Sequence, residues 1–230
     1  MMFTNRNIDI GQMNIKLAGS EIKHVLSLQF LGVTIHNKLT WKNHLDIICN
    51  QLSKNVGVLY RIKMLPTNVL RMIYNAIVAP FLDYGISVWG SAAKIYLERL
   101  FKLQKRAIRI VNHSPYLAHT SPIFYSLKLL NIYDIYKYQL GIFMFLCHRK
   151  LLPISLLKYY TLNCNIHSHV TRNAANFHIP KVRTTLSYKS VIYQGPLVWN
   201  TLPIYIRNSK TLNSFKTKYK QNLQDKYYNN

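Results

Sequence analysis

Residues 94–112 read KIYLERLFKLQKRAIRIVN, and their spacing decides how most of the chain folds. Leu97, Leu100, Gln104, Ala107 and Val111 recur at steps of three and four, which is one buried stripe of an α-helix. Arg99, Lys102, Arg106 and Arg109 recur at three, four and three, gathering cations on a second stripe with Lys105 beside it. Glu98 is the only carboxylate in the segment. A merely solvated helix face usually mixes signs, with acids four residues from bases. This face does not mix them, so contact with a phosphate backbone is the reading preferred over a bland soluble surface.

The helical period extends on both sides. Upstream, Thr40 is a suitable N-cap for a helix carrying Trp41, Leu45, Ile48, Leu52, Val56 and Leu59 to about Lys63. Pro66-Thr67 restarts the chain, and Leu70, Ile73 and Ile77 carry a second helix until Pro80 interferes. Phe81-Leu82-Asp83-Tyr84-Gly85 and Trp89-Gly90 form an aromatic corner. Downstream, helices are expected over Pro122–Leu130, Tyr133–Lys150 (started by Asn131), Pro153–Tyr160 and Ser214–Tyr228. The last of these places Phe215, Tyr219 and Leu223 inside and Lys216, Lys218 and Lys220 outside.

Strands are expected at the N-terminus: Asn14–Leu17 and Glu21–Val25 about an Ala18-Gly19-Ser20 turn, then an apolar run, Leu28–Ile35, whose Gly32 either bends it or admits another backbone closely. Two more, Phe177–Val182 and Leu186–Tyr193, are expected in a polar stretch from 161 to 213. The fold class is α+β, mainly α: a small N-terminal β-meander, a helical bundle and a basic mixed tail, with boundaries near 38 and 160.

Charge restricts the partners. The chain holds 30 Lys+Arg against 7 Asp+Glu in 230 residues, formally +23. Residues 1–98 carry ten bases and five acids, residues 99–230 twenty and two. Such a field attracts polyanions, nucleic acid first and an anionic membrane surface second. Hydrophobic residues at 49% are too many for a disordered tail. Three unpaired-looking cysteines, no signal-peptide layout at the start, and no apolar run long enough to span a bilayer point to an intracellular, soluble protein without a membrane partner.

Two-metal phosphoryl or nucleotidyl transfer needs clustered carboxylates. Here Asp9, Glu21, Asp46, Asp83, Glu98, Asp134 and Asp225 stand singly. No Gly-rich phosphate loop or nucleophile elbow accompanies them. Cys164, His167, His169 and His178 are spaced suggestively, but a single cysteine fits no standard zinc template, and they read as polar loop residues. No catalytic residue, metal site or cofactor is therefore expected in this chain.

Several segments together resemble one family. Phe30-Leu31-Gly32-Val33, followed by Leu39-Thr40-Trp41-Lys42-Asn43-His44, resembles the primer-grip strand and following helix of non-LTR retrotransposon reverse transcriptases of the jockey-like class. Pro80-x-x-x-Tyr84-Gly85-x-x-x-Trp89-Gly90 resembles their thumb corner, and Leu103-Gln104-Lys105-Arg106-Ala107-Ile108-Arg109 a basic thumb helix. His169-Val170-Thr171-Arg172, Trp199-Asn200-x-Leu202-Pro203 and Phe215-Lys216 resemble segments of the tail. The order and spacing agree from about residue 2 to 228.

The resemblance implies a palm remnant over 1–38, a thumb-like helical domain over 39–160 and a basic C-terminal region over 161–230. It implies a parent activity of RNA-directed DNA synthesis using Mg²⁺, whose catalytic aspartates, fingers and endonuclease would lie upstream. The expectation is thus a truncated and inactive copy that retains duplex holding. Phe30, Leu31 and Gly32 would be its primer-grip-like residues, and Arg99, Lys102, Lys105, Arg106 and Arg109 its nucleic-acid contacts. Its partners would be an RNA–DNA hybrid or other nucleic acid, and the palm and fingers portion. The alternatives are a non-catalytic nucleic-acid-binding protein, a membrane-surface or protein-binding module, and a non-functional relic.

Overall fold

Tight two-residue turns build the N-terminal part of the chain. The computed structural model describes residues 1, 3, 16–21, 24–166 and 173–228. Strands β1 (Lys16–Leu17) and β2 (Ser20–Glu21) pair antiparallel, Lys16 opposite Glu21, across Ala18-Gly19. The turn is therefore one residue shorter than expected, and Val25 lies outside the strand. Residues 14–15 and 22–23 of the expected strands fall outside the described residues.

The run Leu28–Ile35 is not one bent strand but a hairpin. β3 (Ser27–Phe30) pairs with β4 (Val33–His36), Phe30 opposite Val33. Leu31 and Gly32 both take positive φ, 46° and 75°. That is the pattern whose twist matches a two-residue antiparallel turn. The four described strands form two separate two-stranded sheets instead of one meander.

Helix α1 (Lys42–Arg61) buries Leu45, Ile48, Leu52, Val56 and Leu59 as its spacing requires, with His44 and Cys49 beside them. Thr40 does not cap it. Trp41 occupies that position at φ 58°, and no side chain accepts from the first-turn amides. α2 (Thr67–Ile77) follows Pro66, and Pro80 then sits in the first turn of α3 (Ala79–Asp83), where its missing N–H costs nothing. After α4 (Ile86–Trp89) comes α5 (Lys94–Val111), with all five expected residues of its inner stripe buried. α6 (Ser121–Ser126) is shorter than expected. α7 (Ile132–His148) begins at Asn131, whose side-chain oxygen accepts from the Asp134 N–H at 3.0 Å.

The C-terminal part is helical where strands were expected. After α8 (Ile154–Leu157) and a short 3-10 turn, α9 (Thr185–Tyr188) and α10 (Val191–Asn200) take up the Leu186–Tyr193 segment. The Thr184 hydroxyl oxygen accepts from the Ser187 N–H at 3.2 Å, a local bond that favours a helix start over a strand. The Phe177–Val182 segment contributes a single bridge, Leu162 to Phe177. Pro180 within it cannot donate to a ladder. α11 (Ile204–Arg207) and the expected final helix, α12 (Leu212–Tyr228), complete the chain, with Phe215, Tyr219 and Leu223 buried.

One buried cluster runs from Leu45 to Tyr227. α1 packs along α5, while α10 and α12 pack on α7. Gly141 of α7 lets Tyr219 of α12 approach so closely that any Cβ there would collide with the ring. At the centre Gln104 is fully buried. Its Nε2 donates to the Tyr74 hydroxyl at 3.1 Å and the Leu130 carbonyl at 2.9 Å, and its Oε1 accepts from the Ile132 N–H at 2.9 Å.

Replacing Gln104 by Leu keeps the apolar volume but strands a buried carbonyl and a buried amide. The expected cost is about 2–5 kcal/mol. Urea unfolding followed by circular dichroism checks it, and a loss below about 1 kcal/mol would refute this role for the amide.

Candidate nucleic-acid interface

The cations of α5 do stand on the face opposite its buried stripe, but they differ in how free they are. Lys102 and Arg106 are exposed and have no partner among the described residues. Arg99 is exposed as well, yet its Nη1 meets Asp46 Oδ1 of α1 at 2.5 Å. Lys105 places its ammonium 4.2 Å from the centroid of the Phe101 ring. Arg109 is half-buried, with Nε donating to the Ala118 carbonyl at 2.9 Å. The face is not free of acids: Glu98, four residues before Lys102, pairs with Lys94 at 3.7 Å, and Asp46 supplies a second acid from α1. Spacing within 94–112 cannot reveal that, and the step from Leu45 to Asp46 on the edge of α1 is the only signal for it.

The segment Pro80–Gly90 forms the corner that holds the β3–β4 hairpin against the helices. The Tyr84 hydroxyl donates to the Leu31 carbonyl at 2.6 Å, and its ring would lie 3.3 Å from any Cβ added at Gly32. Gly85, at φ 64°, leaves room for Val33, whose methyl carbon would lie 3.2 Å from an added Cβ. Trp89 is 0% exposed and its Nε1 donates to the Tyr84 carbonyl at 2.9 Å. Phe30 and Leu31 project outward, 60% and 73% exposed. Beside the turn lies a cleft of about 530 Å³ lined by Gly32, His44, Ile47, Gln51, Phe81 and Tyr84.

The motifs of the tail are structural. Asn200 accepts from the Phe177 N–H at 3.0 Å through Oδ1 and donates to the Phe177 carbonyl at 2.8 Å through Nδ2. Trp199 packs among His148, Phe177 and Phe215. His167 and the segment His169–Arg172 fall outside the described residues. Among the described residues, no three His, Cys, Asp or Glu side chains are grouped so as to hold a metal. No helix among them is long and apolar enough to cross a membrane.

The chain is similar to RNA-directed DNA polymerases of mobile elements. The polymerase of mobile element jockey from Drosophila melanogaster is 31% identical over 125 residues, covering 52% of this chain and 14% of the relative. The probable polymerase of transposon BS from the same fly is 30% identical over 131 residues, covering 55% and 14%. The jockey polymerase of Drosophila funebris is 30% identical over 137 residues, covering 57% and 15%. Relatives at 28–31% identity over about half the chain are thus jockey-like non-LTR retrotransposon polymerases, as the motifs imply. The matched part spans about one-seventh of their length. No family model and no solved structure matches the chain.

His44 links the hairpin to α1: its Nδ1 accepts from the Thr34 N–H at 3.3 Å, and its ring stands edge-on to Trp89. Burial holds its pKa below the ordinary value. Burial does the same to His148, with repulsion from Arg149 and Arg207 added. The unfolded chain therefore binds protons on these rings at a higher pH than the folded one. Stability present above about pH 6.5 should fall as pH drops below it. Urea midpoints measured from pH 7.5 to 5 test this, and His44→Asn, which retains an acceptor for the Thr34 amide, should flatten the decline.

Proposed function

We propose that this chain acts as the duplex-holding part of a mobile-element reverse transcriptase. In this reading the outer face of α5 lies along a phosphate backbone, and the Phe30-Leu31-Gly32 turn stands beside the primer end. The observation that carries the reading is the exposed pair Lys102 and Arg106, without a partner among the described residues, on a helix face whose own carboxylate, Glu98, is paired with Lys94. Similarity to RNA-directed DNA polymerases supports an RNA–DNA hybrid as the ligand. The exposed Phe30 and Leu31 would then be covered by the palm portion of the enzyme. The described residues do not fit a catalytic Mg²⁺ pair, and no chemical step is assigned to this chain.

Contacts from Lys102, Lys105 and Arg106 imply a log–log salt slope of about −2 to −3 on duplex. Lys102→Gln with Arg106→Gln should remove most of that slope without altering the circular dichroism. Arg99→Gln should change it little, because Asp46 already neutralises Arg99. Unaltered hybrid binding by the double variant at low and moderate salt would leave α5 as a solvated face only.

The purified chain, supplied with primed poly(rA), labelled dTTP and Mg²⁺ or Mn²⁺, should incorporate nothing above a protein-free control. Incorporation that survives stringent purification would overturn this expectation.

A further inference from the structure

The ends of α1 and α5 meet around a pocket of about 470 Å³, within the usual range of roughly 300–1,000 Å³ for small-ligand sites. Lys63, Arg106, Arg109 and His113 line it, together with the rings of Tyr60 and Tyr116, and no carboxylate does. Both tyrosines are open to solvent, 53% and 75% exposed. The Lys63 ammonium lies 4.6 Å from the centre of the Tyr60 ring. The Nε bond of Arg109 to Ala118 fixes its guanidinium, whose terminal nitrogens have no partner among the described residues.

Compensation of helix dipoles does not account for this much charge. Two helix C-termini bring together about one negative unit, roughly −0.5 each. Lys63, Arg106 and Arg109 alone supply three full positive charges, so a surplus of about two remains. A concave site with that surplus selects an anion, and two accessible phenol rings add faces on which a flat heterocycle stacks.

We propose that this pocket binds a single unpaired nucleotide at the end of a nucleic-acid strand, its phosphate among Lys63, Arg106 and Arg109 and its base against Tyr60 and Tyr116. The proposal rests on the nucleic-acid reading of α5 and extends it from paired backbone to one unpaired base. Arg106 belongs to both surfaces, so an overhanging nucleotide would reach the pocket as its duplex lies along α5.

The test is a fluorescence titration of the full chain with a single-stranded pentanucleotide carrying terminal 2-aminopurine, whose emission is quenched by stacking. Quenching is expected, with AMP competing better than either adenosine or inorganic phosphate. Tyr60→Leu and Tyr116→Leu should each abolish the quench and weaken pentanucleotide binding at least about fivefold. Both should leave affinity for a blunt RNA–DNA hybrid unchanged, whereas Lys102→Gln should weaken the hybrid and spare the quench. A quench that is absent, or that persists in both tyrosine variants, while the blunt hybrid still binds overturns the pocket alone. Failure to bind either nucleic acid overturns the α5 reading as well.

Discussion

The carboxamide of Gln104 holds together parts of the chain that are far apart in sequence, and the orientation of α5 depends on it. It reaches Tyr74 on α2, Leu130 in the loop before α7, and the first helical amide of α7 at Ile132. That amide is one of the orphan donors every helix start leaves behind. An amide serves here because it donates and accepts at once without carrying charge into the interior. With Gln104 fixed inward, the helical period fixes Lys102 and Arg106 outward. The inner residue of the Gln-Lys-Arg-Ala segment thus determines where its outer residues point.

The same helix start anchors the C-terminus. Asp134, nearly buried in a chain with very few acids, accepts from the Tyr227 hydroxyl at 2.6 Å, from Asn131 Nδ2 at 2.8 Å and from the Lys137 ammonium at 3.2 Å. Burial, with the negative charge of Asp134 next, pushes the Tyr227 phenol far above its ordinary pKa and keeps it a donor. The Asn131 N–H donates to that phenol oxygen at 3.1 Å, so α12 is tied to the loop between α6 and α7 through polar groups as well as packing.

The helices were legible in the sequence because their apolar residues alternate every three and four positions, and this survives in α1, α2, α5, α7 and α12. What the sequence concealed depended on single bonds or on distant neighbours. The Leu31-Gly32 reversal looked like a bend within one strand, since an apolar run carries no sign of its own midpoint. Leu186–Tyr193 has the composition of a strand, but the Thr184 cap turned it into helix. Most of the quoted motif residues, among them Gln104, Trp89, Trp199 and Asn200, proved to be fasteners of the fold. The charge stripe was visible, but the Arg99–Asp46 pair and the meeting of Tyr60, Lys63 and Tyr116 beside it were not, because each joins separate elements.

Charge is also a constraint on the chain's stability. The described residues form the ion pairs Lys94–Glu98, Arg99–Asp46 and Lys137–Asp134, against a formal +23. Exposed ion pairs contribute about 0–1 kcal/mol each, so the two exposed ones, Lys94–Glu98 and Arg99–Asp46, do not offset the self-repulsion of the remaining cations. A surface needed only for solubility would reach that end with a few charges of mixed sign. Retaining like charges side by side, as Lys102, Lys105 and Arg106 do, costs stability in the free chain, a cost that the polyanion of the proposed function would offset by binding the folded form. Under the proposed function, folding and ligand binding would be linked most strongly at α5, where the buried Gln104 amide stands directly behind the cations that face outward.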